Sequence, residues 1–567
     1  MDSHISQNDG MPTSPNRDVP AEVPVLIVGG GPVGLATSIL LAHHGIHSLL
    51  VEQHPGTSIY PKARFINTRT MEIFRQCNLQ QAVLEGALPP AKCRNAVWVR
   101  TLAGEEFACR PIETVLPEAV EAWSPTFGCT MTQEILEPVL LTHARKLAPV
   151  QIRFDTQLTS FSQLDDCVTA TLLHRPSGRT RQVRAQFLIA ADGARSQVRE
   201  TLGISRIGPN LYSNIMNILF EADLNRWAKD RSINVCMIMN PEASGVLLAL
   251  DGAKRWSFQA FYFPHQGQRA EDFTPEHCIQ VIHKAIGDPT LPVHIIQALP
   301  WNALAQVAEA FADRRVFLVG DAAHEMPPAG GFGMNCGIQD AHNLAWKLAA
   351  VIKGWADPDL LGTYDVERRP VARWITEQTL LNLASLRRVS SNDAGTTSSD
   401  EAVSAALERS EFFREHGMVF GATYESTAIV LDGTLAPHVE NPVADYIPNA
   451  DPGSRAPHVW LEHEGHQRSI LDLFGTEFVL LTGEGGESWR IVAVEIADEL
   501  GVPLKVYMIG GRSELQCSQG TWLSIYGIQN NGAVLIRPDG HVAWRCRTNS
   551  DEPADQLIKA MRTILRP

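Results

Sequence analysis

An α/β architecture is what this sequence predicts: a nucleotide-binding unit interleaved with a second, all-β unit, and a further α/β segment at the C-terminus. Three observations predict it. Residues 25–52, VLIVGGGPVGLATSILLAHHGIHSLLVE, read as strand, glycine turn, helix and second strand. Apolar strands ending in Asp192-Gly193 and Gly320-Asp321 return to the same sheet much later in the chain. Between those returns lie period-two stretches, NIMNILFEADL and RWSFQAFYF, which read as a sheet of their own.

The elements follow in order. Residues 1–20 are polar and read as a disordered tail. In the first βαβ unit, Gly29 allows the tight turn. Gly31 lets backbone approach a pyrophosphate, and Gly34 lets helix and strand pack closely. The helix N-terminus supplies N–H dipoles to the phosphates, and Glu52 closes the second strand as an acceptor for a ribose. Within 91–125, AVWVR and EEFACR alternate as strands, and 130–148 reads as helix. Short strands are expected around Gln151–Phe161, Val168–His174 and Arg181–Arg184, before the apolar strand of QFLIAADGARSQVR at 186–199.

The nucleotide unit thus gathers 21–90, 126–199 and 301–390, and the all-β unit gathers 91–125 and 200–300. Residues 391–458 are expected to hold helices, an exposed loop at 391–404 (SNDAGTTSSDEAVS) and a Pro/Gly/Asp-rich linker at 432–458. Residues 459–567 form the C-terminal segment. Its strands are expected at Glu477–Thr482, Leu504–Ile509, Ala533–Ile536 and Val542–Arg545, with helices at Arg490–Leu500 and Pro553–Ile564.

The segment at 315–347, RVFLVGDAAHEMPPAGGFGMNCGIQDAHNLAWK, suits a flavin. Asp321, at a strand's carboxyl end, can accept ribityl hydroxyls, and Pro327 and Pro328 stiffen the turn. Gly330, Gly331 and Gly333 admit backbone N–H groups to the ring's pyrimidine edge. A helix beginning near Met334–Asn335 aims its positive end there.

On GGGPVG, the Asp192-Gly193 motif, GDAAHEMPPAGGFGMNCGIQDAHNLAWKL, YPKARFINTRTMEIF and TQEILEPVL, the chain resembles the single-component (class A) FAD-dependent aromatic hydroxylases, in their phenol hydroxylase and polyketide hydroxylase branch. The resemblance covers nearly the whole chain. It implies a substrate sheet laid over a Rossmann-like FAD domain, and a thioredoxin-like tail that here lacks C-x-x-C. It also implies non-covalent FAD, NAD(P)H as a transient co-substrate, and hydroxylation of a phenolic or polyketide-derived ring through a C4a-hydroperoxyflavin. Asp192 and Gly193 bear on FAD and NAD(P)H, Gln133 on the flavin, and Lys62 on flavin or nicotinamide phosphates. Relatives often carry Arg at the Lys62 position, which weakens any bidentate argument. Arg64 is expected near the substrate, as anion holder or as a surface cation. Tyr262, in SFQAFYFP, is expected as a substrate hydrogen-bonder or as a core aromatic. Tyr212, Asn214 and Asn217 are weaker candidates, while Trp227, Met216, Met237 and Met239 are expected in the core. Baeyer–Villiger or dearomatising oxygenation on the same scaffold stays open, as does a non-catalytic flavoprotein sensor.

Composition agrees. The 567 residues carry a net charge of −15, which argues against nucleic acid or anionic membrane as partner. The expected partners are a small aromatic substrate, O2 and NAD(P)H, and a homodimer is compatible. Ten cysteines lie scattered without zinc spacing, and no apolar run is long enough to span a bilayer. The reading is a cytoplasmic enzyme with reduced thiols and no metal, although His43, His44 and His47, and His463 with His466, are clustered. No second complete G-x-G-x-x-G unit, no W-x-W-x-I-P motif and no His-Cys flavin attachment motif occurs.

Overall fold

The computed structural model describes residues 19–209, 213–390, 413–511, 513–517, 521–548 and 550–566. Residues 1–18 of the expected tail, the expected loop at 391–404 and Tyr212 lie outside the described residues.

Aliphatic runs buried on both faces build the nucleotide sheet, the pattern of a parallel core covered by helices. Its order is Ala312–Asp313, Val316–Leu318, Arg179–Ala190, Glu22–Val28, Ser48–Val51, Val150–Arg153. Val25 pairs in parallel with both Phe187 and Ser48. The separate strands expected at Arg181–Arg184 and within 186–199 are one strand, Arg179–Ala190. Its polar first half pairs antiparallel with Val168–His174, and its apolar second half enters the parallel core. The change from alternating to continuous burial marks this change of partner, and hides the continuity.

The second sheet runs in the order His294–Ala303, Ser213–Glu221, Arg255–Tyr262, Gly245–Ala249, Ile233–Ile238, Asn95–Val99, Glu106–Pro111. Strand alternation sorts its side chains onto two faces. Met216, Ile218, Phe220, Trp256, Phe258, Ala260 and Tyr262 pack under the helix Pro275–Ile286. The opposite face carries Ala96, Trp98 and Met237, with Val235, Met239 and Val246 beside them. Phe65, from the nucleotide unit, packs on this second face, so it is the face turned to the glycine loops. Met237 and Met239 therefore line that face, and do not belong to the helix-covered core with Met216.

At the C-terminus a sheet ordered Leu504–Ile509, Phe478–Gly483, Ala533–Ile536, Val542–Cys546 has one parallel and two antiparallel pairings. The helices Glu487–Leu500 and Pro553–Leu565 cover one face and Thr521–Tyr526, which the sequence reading missed, the other. This is a thioredoxin-like layout. Trp346 and Leu360 of the nucleotide unit are buried in the same core as Phe478 and Trp489, so the tail is packed onto the rest of the chain. The segment expected as a linker has no regular element over residues 432–458 but is not a free tether. Ser454, Arg455, Ala456 and His458 are buried, and Arg455 donates to Glu72 across the junction. No helix among the described residues is long and apolar enough to cross a membrane.

Candidate cofactor and substrate site

Three glycines of the first turn have three different reasons to be there. Gly29 has φ +110°, and a Cβ on it would lie 2.2 Å from the Ala191 carbonyl oxygen. At Gly34 a Cβ would lie 2.0 Å from the Gly29 carbonyl oxygen. At Gly31, immediately before the helix Pro32–His43, a Cβ would meet nothing within 4 Å. Protein crowding thus demands the outer two, while the middle one borders open space at a helix N-terminus, a cradle for an anionic group. Glu52 is held toward this turn. Its Oε2 accepts the Gly30 N–H at 2.7 Å and its Oε1 the His54 N–H at 2.8 Å.

Two later turns close on the same cleft. Gly193, φ +80°, also borders open space. Asp192 accepts the Val198 N–H through Oδ2, while its buried Oδ1 has no partner among the described residues, and burial raises its carboxyl. Arg199 donates to the carbonyls of Ala194 and Ala322 at 3.3 and 3.1 Å, tying the two motifs together. Asp321 is open to the cleft, yet protein crowds round it. Desolvation raises its carboxyl, with His324 and then Lys62 pulling the other way. Its Oδ1 lies 3.9 Å from where a Cβ on Gly333 would be.

Gly331, φ +69°, caps the helix Phe332–Ile352, which starts two residues before the expected Met334. The N–H of Gly331 donates to the Pro328 carbonyl at 3.2 Å; Pro328 itself is exposed and Met334 half-buried. Asn335 accepts the Asn67 N–H and donates to the carbonyls of Phe65 and Gly331. Its side chain is therefore committed to protein backbone; what it offers a ligand is its place in the first helical turn.

Gln133 shapes the wall rather than facing it. Its Oε1 accepts the Ala63 N–H at 3.2 Å, and its Nε2 donates to Glu137 at 2.6 Å. Glu137 in turn accepts the Ser58 N–H, so the exposed Lys62 stands on a segment anchored on both sides. Arg64 donates to Asn234 Oδ1 at 2.6 Å and to the Ala249 carbonyl at 2.8 Å. It thereby joins the nucleotide unit to the second sheet and is no surface cation. Its Nε is buried without a hydrogen-bond partner among the described residues, and desolvation lowers its pKa to about 10.

Tyr262 corrects the expected substrate contact and takes the other expected place, that of a core aromatic. It is 7 % exposed, packs with Phe273 at 5.5 Å between ring centres, and belongs to the helix-covered face. Alternation along its strand turns it away from the glycine loops. Asn217 lies on the loop-facing side, accepting from Ser257 Oγ, while its carbonyl accepts Tyr60 OH. Asn214 pairs opposite Tyr262, on the same side of the sheet.

Other residues of note escaped the sequence reading. Phe413 joins the patch of Trp98 and Met237, and Glu415, two residues on, is buried against Gly330. No motif flags either one. His324, Cys336 and Asp340 lie at metal-binding spacing, but Arg368 donates to Asp340 at 2.8 Å and to Cys336 at 3.3 Å. A guanidinium already supplies the positive charge that a metal would bring.

The FAD binding domain family matches residues 22–379, and the aromatic-ring hydroxylase C-terminal family matches 449–567. A tetracenomycin A2 monooxygenase-dioxygenase of Streptomyces glaucescens is 39% identical, with 96% of this chain and 97% of that one covered. A 4-methyl-5-nitrocatechol 5-monooxygenase of a Burkholderia species is 36% identical, covering 96% and 98%. The crystal structure of the flavin-dependent monooxygenase PieE with FAD and substrate matches at TM-score 0.90 and 35% identity, covering 96% and 99%.

Proposed function

We propose, from the premise that this chain belongs to the FAD-dependent aromatic-ring hydroxylases, that its substrate is a multi-ring phenol of polyketide type. FAD is its cofactor and aromatic monooxygenation its reaction class. When bound, FAD supplies the redox chemistry that activates dioxygen and delivers an oxygen atom to an electron-rich ring.

The chain's own residues do the rest. We assign the pyrophosphate to the open space at Gly31 and the helix behind it, the adenosine ribose to Glu52, and the ribityl chain to Asp321. The main-chain amides of 331–335 at the helix N-terminus serve the pyrimidine edge. Lys62 and the Asp192-Gly193 turn are assigned to phosphate and to NAD(P)H, the transient reductant. Asn335 and Gln133 hold the walls, and Arg64 fixes the sheet over the cleft. That sheet excludes water from the reacting ring.

The observation that carries the multi-ring reading is the apolar face turned to the glycine loops, where the half-buried Phe65 and Met239 stand on the buried Trp98, Met237 and Phe413. Such a wall suits a flat polycycle better than a single small ring. The test is a screen of single-ring phenols against hydroxylated naphthalenes and anthraquinones. The readouts are stimulation of NAD(P)H consumption and product mass. Coupled gain of oxygen is expected on the larger rings. Equal coupling on simple phenol would overturn the size assignment, and oxygen gained only by non-aromatic ketones would install a Baeyer–Villiger outcome. The proposal places the enzyme in the cytoplasm, in keeping with ten free cysteines, and sizing of the FAD-loaded protein decides between monomer and homodimer.

A further inference from the structure

Phenol hydroxylation needs a group that takes the substrate's hydroxyl proton, because the phenolate is the better ring nucleophile. Neither Tyr262 nor the sheet-bound end of Arg64 is placed to do so. Glu415 is. Its residue is 3 % exposed, and its Oε1 has no hydrogen-bond partner among the described residues. That oxygen lies 2.9 Å from where a Cβ on Gly330 would be, so it abuts the glycine loop. Two residues earlier, Phe413 sits in the apolar patch with Trp98 and Met237. Glu415 thus stands at the seam between the loop assigned to the flavin and the wall assigned to the substrate.

A buried carboxyl without a partner is costly and calls for a function. The other partnerless buried carboxylate oxygens have compensation nearby: Glu134 faces Arg255 at 3.5 Å, and Asp192 accepts an N–H through its second oxygen. Charged groups near Glu415 are engaged with one another. On its own turn, His416 pairs with Glu113 at 2.8 Å and Arg414 lies 3.7 Å from Glu113; Asp445 is 3.9 Å from Arg414. From the loop it meets Gly330, and the patch that Phe413 joins, with Trp98 and Met237, is built of apolar side chains with Arg100 over its Phe107 ring at 5.8 Å.

We propose that Glu415 contacts the substrate and is its acid–base residue: the carboxylate accepts the phenolic O–H, the O–H bond breaks, the proton moves to Glu415, and the ring is left as phenolate. This deepens the aromatic-hydroxylase reading and rests on it. Desolvation pushes the carboxyl up to about 8, which poises its proton exchange near working pH. Below that value the group is a neutral acid; above it, a base.

The test uses FAD-loaded wild type, Glu415→Gln and Glu415→Asp, with 1-naphthol and 1,8-dihydroxyanthraquinone as probes. Kd is read from the flavin absorbance change between about pH 6.5 and about pH 9, and coupled hydroxylation is followed in parallel. For wild type we expect Kd to tighten by about tenfold as pH rises, because a carboxylate accepts a stronger hydrogen bond than a carboxylic acid. In Glu415→Gln the pH limb vanishes and hydroxylation falls about a hundredfold. FAD affinity stays as in wild type. Glu415→Asp restores a limb at a shifted pH. Identical profiles for wild type and Glu415→Gln would overturn the assignment. Should the Gln variant fail to hold FAD, an unshifted limb in Glu415→Asp overturns it instead. Wild type that holds FAD but neither binds nor oxidises either probe, nor any phenol of the wider screen, sinks the hydroxylase reading itself, and this assignment with it.

Discussion

The contrast between Gly29 and Gly31 separates what the fold demands from what a ligand demands. Gly29 adopts φ +110° against the Ala191 carbonyl, so Gly29→Ala should cost roughly 1–3 kcal/mol of stability through strain and collision. Gly31 borders open space, so Gly31→Ala should leave stability within about 0.5 kcal/mol. Its new methyl would instead occupy the phosphate cradle and weaken FAD binding about tenfold or more. Melting curves of the apoproteins and FAD titration check both; equal losses of stability in the two variants would refute the distinction. These glycines were legible because the motif is local and its spacing encodes the turn. Tyr262 was not, because which face of its strand is covered by Pro275–Ile286 depends on partners distant in sequence. Glu415 carries no local pattern at all, and only the packing of Phe413 and Gly330 around it makes it conspicuous.

Elements are held together by ion pairs that the hydrophobic pattern did not reveal. Arg455, in the irregular stretch before the C-terminal sheet, donates to Glu72 of the helix Thr68–Gln76 at 3.0 Å, and Arg69 donates to the same carboxylate at 2.9 Å. All three are buried. Desolvation pushes the Glu72 carboxyl up, but Arg455 and Arg69 outweigh it and hold it below the usual range. Removing Glu72 strands two buried guanidiniums, so Glu72→Ala should cost about 3–5 kcal/mol. Replacing the pair together, Glu72→Leu with Arg455→Met, should cost less, since only Arg69 is then left without its carboxylate. Urea unfolding with a double-mutant comparison reads the difference, and additive losses would show that the pair does not couple. The Pro/Gly-rich composition of 432–458 led the reading to a linker, since composition reports the lack of regular structure but not burial. The strands at Leu504–Ile509 and Ala533–Ile536 kept their expected bounds, because short apolar runs between polar turns leave little freedom in where they end.

Across the whole molecule, buried titratable groups set the pH range of stability. Desolvation, then neighbouring His43, lowers His44 to about 3; desolvation, then Arg455, lowers His458 to about 4. His342 is held well below its usual value, by burial first and Arg69 next. Unfolding returns each to its ordinary value near 6.5, so below that pH the unfolded chain binds protons the folded one refuses. Stability must then fall as pH drops from about 6.5 toward about 4, by up to about 1.4 kcal/mol per group per unit. Glu415 opposes them in this window. Its folded pKa of about 8 means the native state binds the extra proton there, which removes stability as pH rises from about 4.5 to about 8. Glu137, Asp192 and Asp321, raised by burial, also oppose them, but burial lowers His43, His143, His416 and His541 as well, so the histidines win below neutrality. His324 acts only above about 6.5. Burial would lower it, but Cys336 and Asp340 outweigh burial, and its contribution fades as pH rises through its folded value. Below about 4.5 the depressed carboxylates Glu72, Asp340 and Asp539 add their own loss, since each must be protonated against its cationic partners. Tm of the FAD-loaded protein, at fixed FAD concentration because ligand binding itself raises Tm, should therefore decline from pH 7 to pH 5 and drop more steeply beneath about 4.5. A Tm that stays level down to pH 5 would mean that His44, His342 and His458 titrate normally and are not shut away between the units. That result would loosen the packing of the C-terminal segment against the nucleotide unit, which Trp346 and Leu360 anchor in its core.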